Sequence, residues 1–269
     1  MEIHHCYARD HRSAREKFGR AVREAGGAVV SCLHEAVRGP GGEPLHADVA
    51  RFGPADAKKR LVILSGTHGV EAFSGSAAQI AWILSGGPAR LPRDVGVLMV
   101  HALNPWGFAH LSRTTENNVD LNRNLLVLEE VEGRAIHDLF KRYLPEVSID
   151  IHEYFPYRPA WRRFGYEKHY DMQIGLVTNP NIHPAITASQ NDDFLPFIER
   201  YLTERTYSFH NYYVGDVPEI GRIRDGLLEM EGSTPVVNVT RHSNVGMYDG
   251  RQSFGILNTY ALIYEGKNG

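Results

Sequence analysis

Apolar residues come in short blocks along this chain, and their spacing changes from block to block. Between Asp10 and Glu24 they fall at Phe18, Ala21 and Val22, one stripe of a helix in a charged stretch, which Gly26-Gly27 closes. Residues 28–33 and 45–52 predict two strands around the turn Gly39-Pro40-Gly41-Gly42, an antiparallel hairpin at a sheet edge. Leu61-Val62-Ile63-Leu64 is a continuous apolar run and predicts a buried strand. Residues 74–84 follow as a helix whose Gly75, Ala77 and Ala78 allow close approach to a sheet. Residues 95–101 predict the next buried strand. Residues 129–143 predict a helix with Val131, Ala135, Ile136, Leu139 and Phe140 facing inward, and residues 147–151 a strand after it.

The second half is less regular. Residues 154–170 are aromatic and basic and predict a long loop. Residues 174–177 predict a short strand, and residues 194–204 a helix with Asn191-Asp192-Asp193 as cap candidates. Residues 214–226 have no period and predict irregular chain. Residues 236–239 and 259–264 predict two more strands, with a polar loop over 241–250. Strands alternating with helices place the chain in the α/β class. The expected architecture is one domain over residues 1–269, with a mixed, mostly parallel twisted sheet, helices on both faces and the N-terminal hairpin at an edge.

Composition narrows the function more than the fold. The 269 residues suffice for one large domain with a full core. The net charge of −3, without runs of one sign, gives no footprint for nucleic acid or a membrane surface. Cys6 and Cys32 are the only cysteines, too few for a thiolate metal cluster or a disulfide framework. Residues 1–23 are charged throughout, without an apolar signal core, and no apolar run approaches about 20 residues. A cytoplasmic enzyme is the expectation. Histidine stands out: there are 14, and several neighbour Asn, Asp or Glu, although one metal ion would use few of them.

Candidate chemistry gathers at strand ends, where ligands of α/β folds collect. His68 and Glu71 lie three apart on the turn from the buried strand into the helix, so an imidazole and a carboxylate can converge. One His-x-x-Glu is roughly what chance gives in this composition, and a glutamate in a first helical turn also suits the helix dipole. His152 and Glu265 stand just past two other strands. Two histidines and a glutamate bind zinc and leave a fourth place for water, which zinc makes acidic while it polarises a carbonyl. A further carboxylate, Glu265, is the candidate general base. Asp150 could orient a ligand histidine from behind. The polar segment from Arg113 to Asn124 predicts a structured loop. Its arginines suit a carboxylate, and its amides equally suit bonds to its own backbone.

Taken together, Thr67-His68-Gly69-Val70-Glu71, Asn104-Pro105-x-Gly107-Phe108, Asn118-Val119-Asp120-Leu121-Asn122-Arg123-Asn124 and Asp150-Ile151-His152-Glu153 resemble, in this order, the zinc carboxypeptidases of the carboxypeptidase A type. The part up to Asn124 is most similar to an uncharacterised bacterial carboxypeptidase-like subgroup. The resemblance implies one zinc per chain, held by His68, Glu71 and His152. It implies Asn122 and Arg123 on a substrate's terminal carboxylate, Arg113 on the oxyanion, and Glu265 as the base. Tyr248 is the nearest match to the family's mobile tyrosine, with Tyr212 and Tyr213 as rivals, and Arg251 is a further candidate for the substrate pocket. The segment after Asn124 is shorter than in the family, and the helix that the family packs after the base is not seen in the sequence. The implied substrate is a peptide, or a peptide-like small molecule, with a free carboxylate. Two alternatives remain: a deacylase of small N-acyl amino acids, like aspartoacylase or succinylglutamate desuccinylase, and a binding module on the same fold. The Asn-Pro-x-Gly-Phe segment weighs against the first, and the full set of ligand types against the second.

Overall fold

The computed structural model describes residues 3–125, 128–154, 171–177, 182–217, 221–228 and 259–267. It divides into two compact units, residues 1–152 and 153–269.

The first unit opens with helix α1, His11–Glu24. Asp10 caps it: its carboxylate accepts from the Ser13 amide at 2.7 Å, and the Ser13 hydroxyl accepts from the Asp10 amide at 3.3 Å. This reciprocal box satisfies two amides that a helix start otherwise leaves bare. Strands β1, Ala28–Arg38, and β2, Pro44–Phe52, form the expected antiparallel hairpin, with β1 longer than its apolar stretch suggested. Then come β3 (Lys59–Ser65), a 3-10 turn (Gly69–Glu71), α2 (Ala72–Leu84), β4 (Val95–His101), α3 (Pro105–His110), α4 (Val131–Tyr143) and β5 (Val147–Tyr154). The strand order is β1-β2-β4-β3-β5. β3 is parallel to both β4 and β5, and the hairpin joins β4 antiparallel through β2.

The core of this unit packs Phe18 and Val22 of α1, Phe52 of β2, Ile63 of β3, Ile80 and Ile83 of α2, and Val97 and Met99 of β4. Each such side chain taken from water contributes about 1.5–3 kcal/mol, which is what holds α1 and α2 against the sheet. Two polar clasps sit among them. Gln79 of α2 accepts from Ser65 and donates to the carbonyls of Ile63 and Val100. Arg15 grips Asp48 of β2 with Nε and Nη2 at 2.6 and 2.8 Å, the paired geometry that guanidinium gives a carboxylate.

His101 ends β4 fully buried, stacked on Phe18 with 4.4 Å between ring centroids and with Nε2 2.9 Å from the Ser76 hydroxyl. Burial is the main force on its pKa and pushes it from 6.5 down to about 3; Asp48 opposes the shift, while His11 and Arg15 add to it. The unfolded chain therefore takes a proton that the fold refuses across that window. Stability is whole above pH 6.5 and falls as the pH drops below it, by about 1.4 kcal/mol per unit. Urea melts at pH 7 and pH 5 are expected to show this group removing about 2 kcal/mol. The His101→Gln protein should lose correspondingly less over the same interval. Equal acid losses in the two proteins would exonerate His101.

In the second unit, β6 (Met172–Gly175) pairs antiparallel with β9 (Tyr260–Lys267) and parallel with β7 (Phe209–Val217), which pairs antiparallel with β8 (Gly221–Leu228). Two departures from the sequence reading stand here. Residues 214–226 contain strand, not irregular chain. The helix expected from residue 194 begins at α5 (Pro184–Ser189), passes through a π-helical segment (Gln190–Phe194) and continues as α6 (Leu195–Thr203). Asn191, Asp192 and Asp193 lie in that π segment, and His183 is the cap. The strand expected over residues 236–239 and the loops over 155–170 and 241–250 fall outside the described residues. No helix among the described residues is long and apolar enough to cross a membrane.

Candidate metal centre

β3 and β4 run parallel and stop together, and the chain after each stays paired. Leu103 donates to the Ser65 carbonyl and Asn104 to the Gly66 carbonyl, each at 2.9 Å. Asn104 then caps α3 by accepting from the Gly107 amide at 2.7 Å, with Pro105 in the first helical turn. The Asn-Pro-x-Gly-Phe segment is thus a compact cap. Its Gly107 presses on Gly69 so closely that a Cβ on Gly69 would lie 1.9 Å from the Gly107 carbonyl carbon. The turn that carries His68 and Glu71 is held from below by this contact and by the Val70 amide donating to Ser112.

β5 brings the third residue. His152 stands at its end, and one point gathers the ligand atoms. His68 Nδ1 is 2.9 Å from Glu71 Oε1, His152 Nδ1 is 2.9 Å from Glu71 Oε2, and the two Nδ1 atoms are 3.1 Å apart. The rings meet edge to face at 4.7 Å, and all three residues are buried. Two ring nitrogens and a carboxylate aimed at each other leave lone pairs in contact, which a cation satisfies better than shared protons do. The donor set, its burial and its near-contact geometry fit a divalent cation of the zinc type.

The opposite ring nitrogens are held from outside. His68 Nε2 donates to Asp120 at 3.0 Å, and His152 Nε2 lies 2.9 Å from Asp150, off the hydrogen-bonding line. Asp150 also accepts from the Thr67 hydroxyl with both oxygens at 2.9 Å. These contacts turn each Nδ1 inward and make it a stronger donor. Asp150 stands beside His152, a candidate ligand histidine of the kind that the sequence reading paired it with. The Asp120 role was missed, since 52 residues separate it from His68, and its only sequence signal is its place in Asn-x-Val-Asp-Leu-Asn-Arg-Asn.

Charge follows from these contacts. Burial works against the Glu71 carboxylate, but His152 and His68 outweigh it and hold it far below the usual carboxylate range. The same balance, struck by burial against His68, Arg113 and Arg123, holds Asp120 well down. Burial works against a charge on His152, yet Asp150 and Glu71 raise it well above the ordinary histidine value. A metal ion has to displace that proton, so loading weakens as the pH falls.

Of the other residues singled out in the sequence, Arg113 is at the centre. Nη1 is 3.1 Å from Glu71 Oε1, while Nε and Nη2 donate to Asp120 at 3.3 and 3.2 Å. Asn122 is buried on the 3-10 turn Leu121–Arg123, its amide donating to Asp120, and Arg123 beside it is exposed. The amides of this loop bond within it and to the chain just after it, while Arg113 bonds to the chain's own carboxylates. Asn117 donates to Glu130, Asn118 accepts from Thr114, and Asn124 accepts from the Glu130 amide, so the amides hold the loop while the arginines face the centre or solvent. Glu265 lies on β9, in register with Gln173, and Tyr212 and Tyr213 lie on β7. Tyr248 and Arg251 fall outside the described residues.

Residues 7–146 match the family described as "Protein of unknown function (DUF2817)". Carboxypeptidase 2 of Trichophyton rubrum is 28% identical over 146 residues, covering 49% of this chain and 26% of that protein. The chain therefore spans about a quarter of the length of the curated relatives it matches. Among solved structures, the metallo-carboxypeptidase of Burkholderia cenocepacia superposes over 95% of this chain and 60% of its own, with a TM-score of 0.62 at 16% identity. The metallo-carboxypeptidase of Pseudomonas aeruginosa, in complex with (2-guanidinoethylmercapto)succinic acid, does so over 94% and 60%, at 0.55 and 18%. The fold is that of the zinc carboxypeptidases.

Proposed function

We propose, from the premise that this chain belongs to the DUF2817 family and has a zinc-carboxypeptidase fold, that it is a zinc-dependent hydrolase cleaving an amide bond next to a free carboxylate. The observation that carries this reading is the convergence of His68 Nδ1, His152 Nδ1 and the Glu71 carboxylate on one buried point. Zinc held there would polarise a substrate carbonyl and bring a water to a reactive state near neutral pH.

The chain's own side chains supply the rest. Arg113 reaches the centre with a guanidinium, the group suited to charge that develops on a carbonyl oxygen. To serve there it would loosen its hold on Glu71 once a cation takes that carboxylate. Arg123, exposed beside buried Asn122, is the candidate for the substrate's carboxylate. The succinic acid derivative bound by the Pseudomonas aeruginosa protein supports a carboxylate-bearing ligand. Glu265 is the proposed base, which takes a proton from water and passes it to the leaving amine.

Purified, zinc-loaded protein should release the C-terminal residue from short peptides and leave N-acyl amino acids intact. The opposite preference would make it a deacylase of small N-acyl amino acids. No hydrolysis of either, with zinc bound, would favour a binding module. Glu265→Gln is expected to keep its zinc and lose about 10²–10⁴ in turnover. Turnover at the parental rate would place the base elsewhere.

A further inference from the structure

We propose that His34, Glu116 and Glu132 form a second site for a divalent transition-metal ion, separate from the His68 centre. His34 comes from β1, Glu116 from the loop before the 3-10 turn Leu121–Arg123, and Glu132 from the first turn of α4. One ligand atom from each lies within 4.8 Å of the others. His34 Nε2 is 3.2 Å from Glu132 Oε1 and 4.0 Å from Glu116 Oε1. Donor atoms on a tetrahedral zinc stand about 3.3 Å apart, so the closer pair is at metal spacing and the third needs a small movement.

The second observation is that these groups are orphaned. His34 is 9% exposed and Glu132 5%. Both ring nitrogens of His34, both oxygens of Glu132 and Oε2 of Glu116 are buried without a hydrogen bond from any described residue. His34 Nε2 and Glu132 Oε1 are within hydrogen-bonding distance but are not aligned for it. Two lone-pair-bearing atoms side by side, with a third nearby, is an arrangement that a cation completes. A simple ion pair between a charged His34 and Glu132, with Glu132 also favoured by the helix dipole, accounts for one contact only. It leaves the second oxygen of Glu132 and the buried oxygen of Glu116 unsatisfied, which folded proteins avoid.

The chemistry selects the ion. One imidazole with two carboxylates suits zinc, nickel, iron or manganese, and the imidazole disfavours calcium and magnesium. His34 and Glu132 also line a cavity of about 360 Å³, together with Cys32, Leu103, Pro105 and Ala135, which gives the ion a way in and room for a water ligand. The ion would tie three elements together. Glu116 lies between Arg113 and Asp120, the two loop residues that touch the His68 centre, and Asn117 already anchors the same loop to Glu130. Ion binding at His34 therefore fixes the loop that positions Arg113 and Asp120.

The test is a zinc count on apo-protein reloaded with Zn²⁺ and freed of excess. Wild type should carry two ions per chain and Glu71→Gln one. His34→Gln in the Glu71→Gln background should carry none. Should His34→Gln fail to fold, Glu132→Gln in the same background serves. A Co²⁺-loaded Glu71→Gln protein should in any case show a d–d absorption without a thiolate band. One ion in wild type and none in Glu71→Gln would overturn the proposal. So would an ion that persists when His34 or Glu132 is replaced in the Glu71→Gln background, because it would then sit elsewhere. Loss of peptide hydrolysis bears on the function proposed above and not on this count.

Discussion

Glu71→Gln is expected to take the zinc of the His68 centre and the turnover together. The carboxylate is the only anion within reach of both Nδ1 atoms among the described residues, 2.9 Å from each. Glutamine keeps the shape and removes the charge, which costs more in a buried site than in water because the surroundings screen less. An outer partner of a metal ligand is worth about 10–100-fold in affinity, and a direct anionic ligand should exceed that. We therefore expect zinc affinity, measured by competition with a chelator, to fall by more than about 100-fold and hydrolysis to fall below detection. Asp120→Asn gives the graded comparison: it leaves all three ligands and weakens the support of His68 Nε2, so a loss of about 10–100-fold is expected. Glu71→Gln protein that binds one zinc per chain at the same position as wild type, with wild-type affinity, would remove Glu71 from the ligand set.

The separation between these two residues also shows what the sequence could reveal. His68 and Glu71 were legible because one local rule covers them: a buried strand, a break at Ser65-Gly66, then a helix. His152 was legible as a polar residue at the end of another apolar run. Phe18, Ala21 and Val22 marked the first helix because its stripe and the closing Gly26-Gly27 lie within one short window. Asp120 and Thr67 escaped because their partners lie 52 and 83 residues away, and only folding brings such pairs together. The His34, Glu116 and Glu132 cluster escaped for the same reason, being drawn from a strand, a loop and a helix start.

β7 escaped for a different reason. Its pairing with β8 slips between Tyr213 and Gly215, so alternation fails where a strand is most easily read. α3 was hidden by size: six residues hold less than two turns, and the Asn104 cap and Pro105 are its only signals. In the helix after residue 183, the Asn-Asp-Asp triplet has the composition of a cap but lies inside a continuous helical path. Cap residues mark a start only when what precedes them is not already helical.

Gly69→Ala should do as much harm as removing a ligand, although it touches no metal. Its backbone needs no left-handed conformation, so the demand is purely one of space. A Cβ there would lie 1.9 Å from the carbonyl carbon of Gly107, 2.2 Å from the Phe108 nitrogen and 2.4 Å from the Gly107 Cα. All three are backbone atoms and cannot rotate away as a side-chain tip would. Either α3 or the turn carrying His68 has to retreat. α3 is pinned by the Asn104 cap and by the amides of Leu103 and Asn104 bonded to the chain after β3, and Phe108 is buried beneath it. The turn's backbone is tied to α3's side by the Val70 amide, and its side chains by Asp150, Asp120 and Arg113, so its retreat drags His68, one residue away, against those contacts. Overpacking of this kind costs about 1–3 kcal/mol, and more where backbone meets backbone. Metal ligands tolerate displacements of only about 0.2 Å. The expected result is a destabilisation of about 3 kcal/mol in denaturant melts, together with zinc affinity reduced by more than about tenfold. Gly26→Ala is the control: its φ is +74° and nothing lies within 4 Å of the added carbon. It should cost only about 1–2 kcal/mol of left-handed strain and leave zinc affinity unchanged. A Gly69→Ala protein as stable and as tightly metallated as wild type would mean that the turn does not rest on α3. The packing of one glycine against another would then have no part in placing His68.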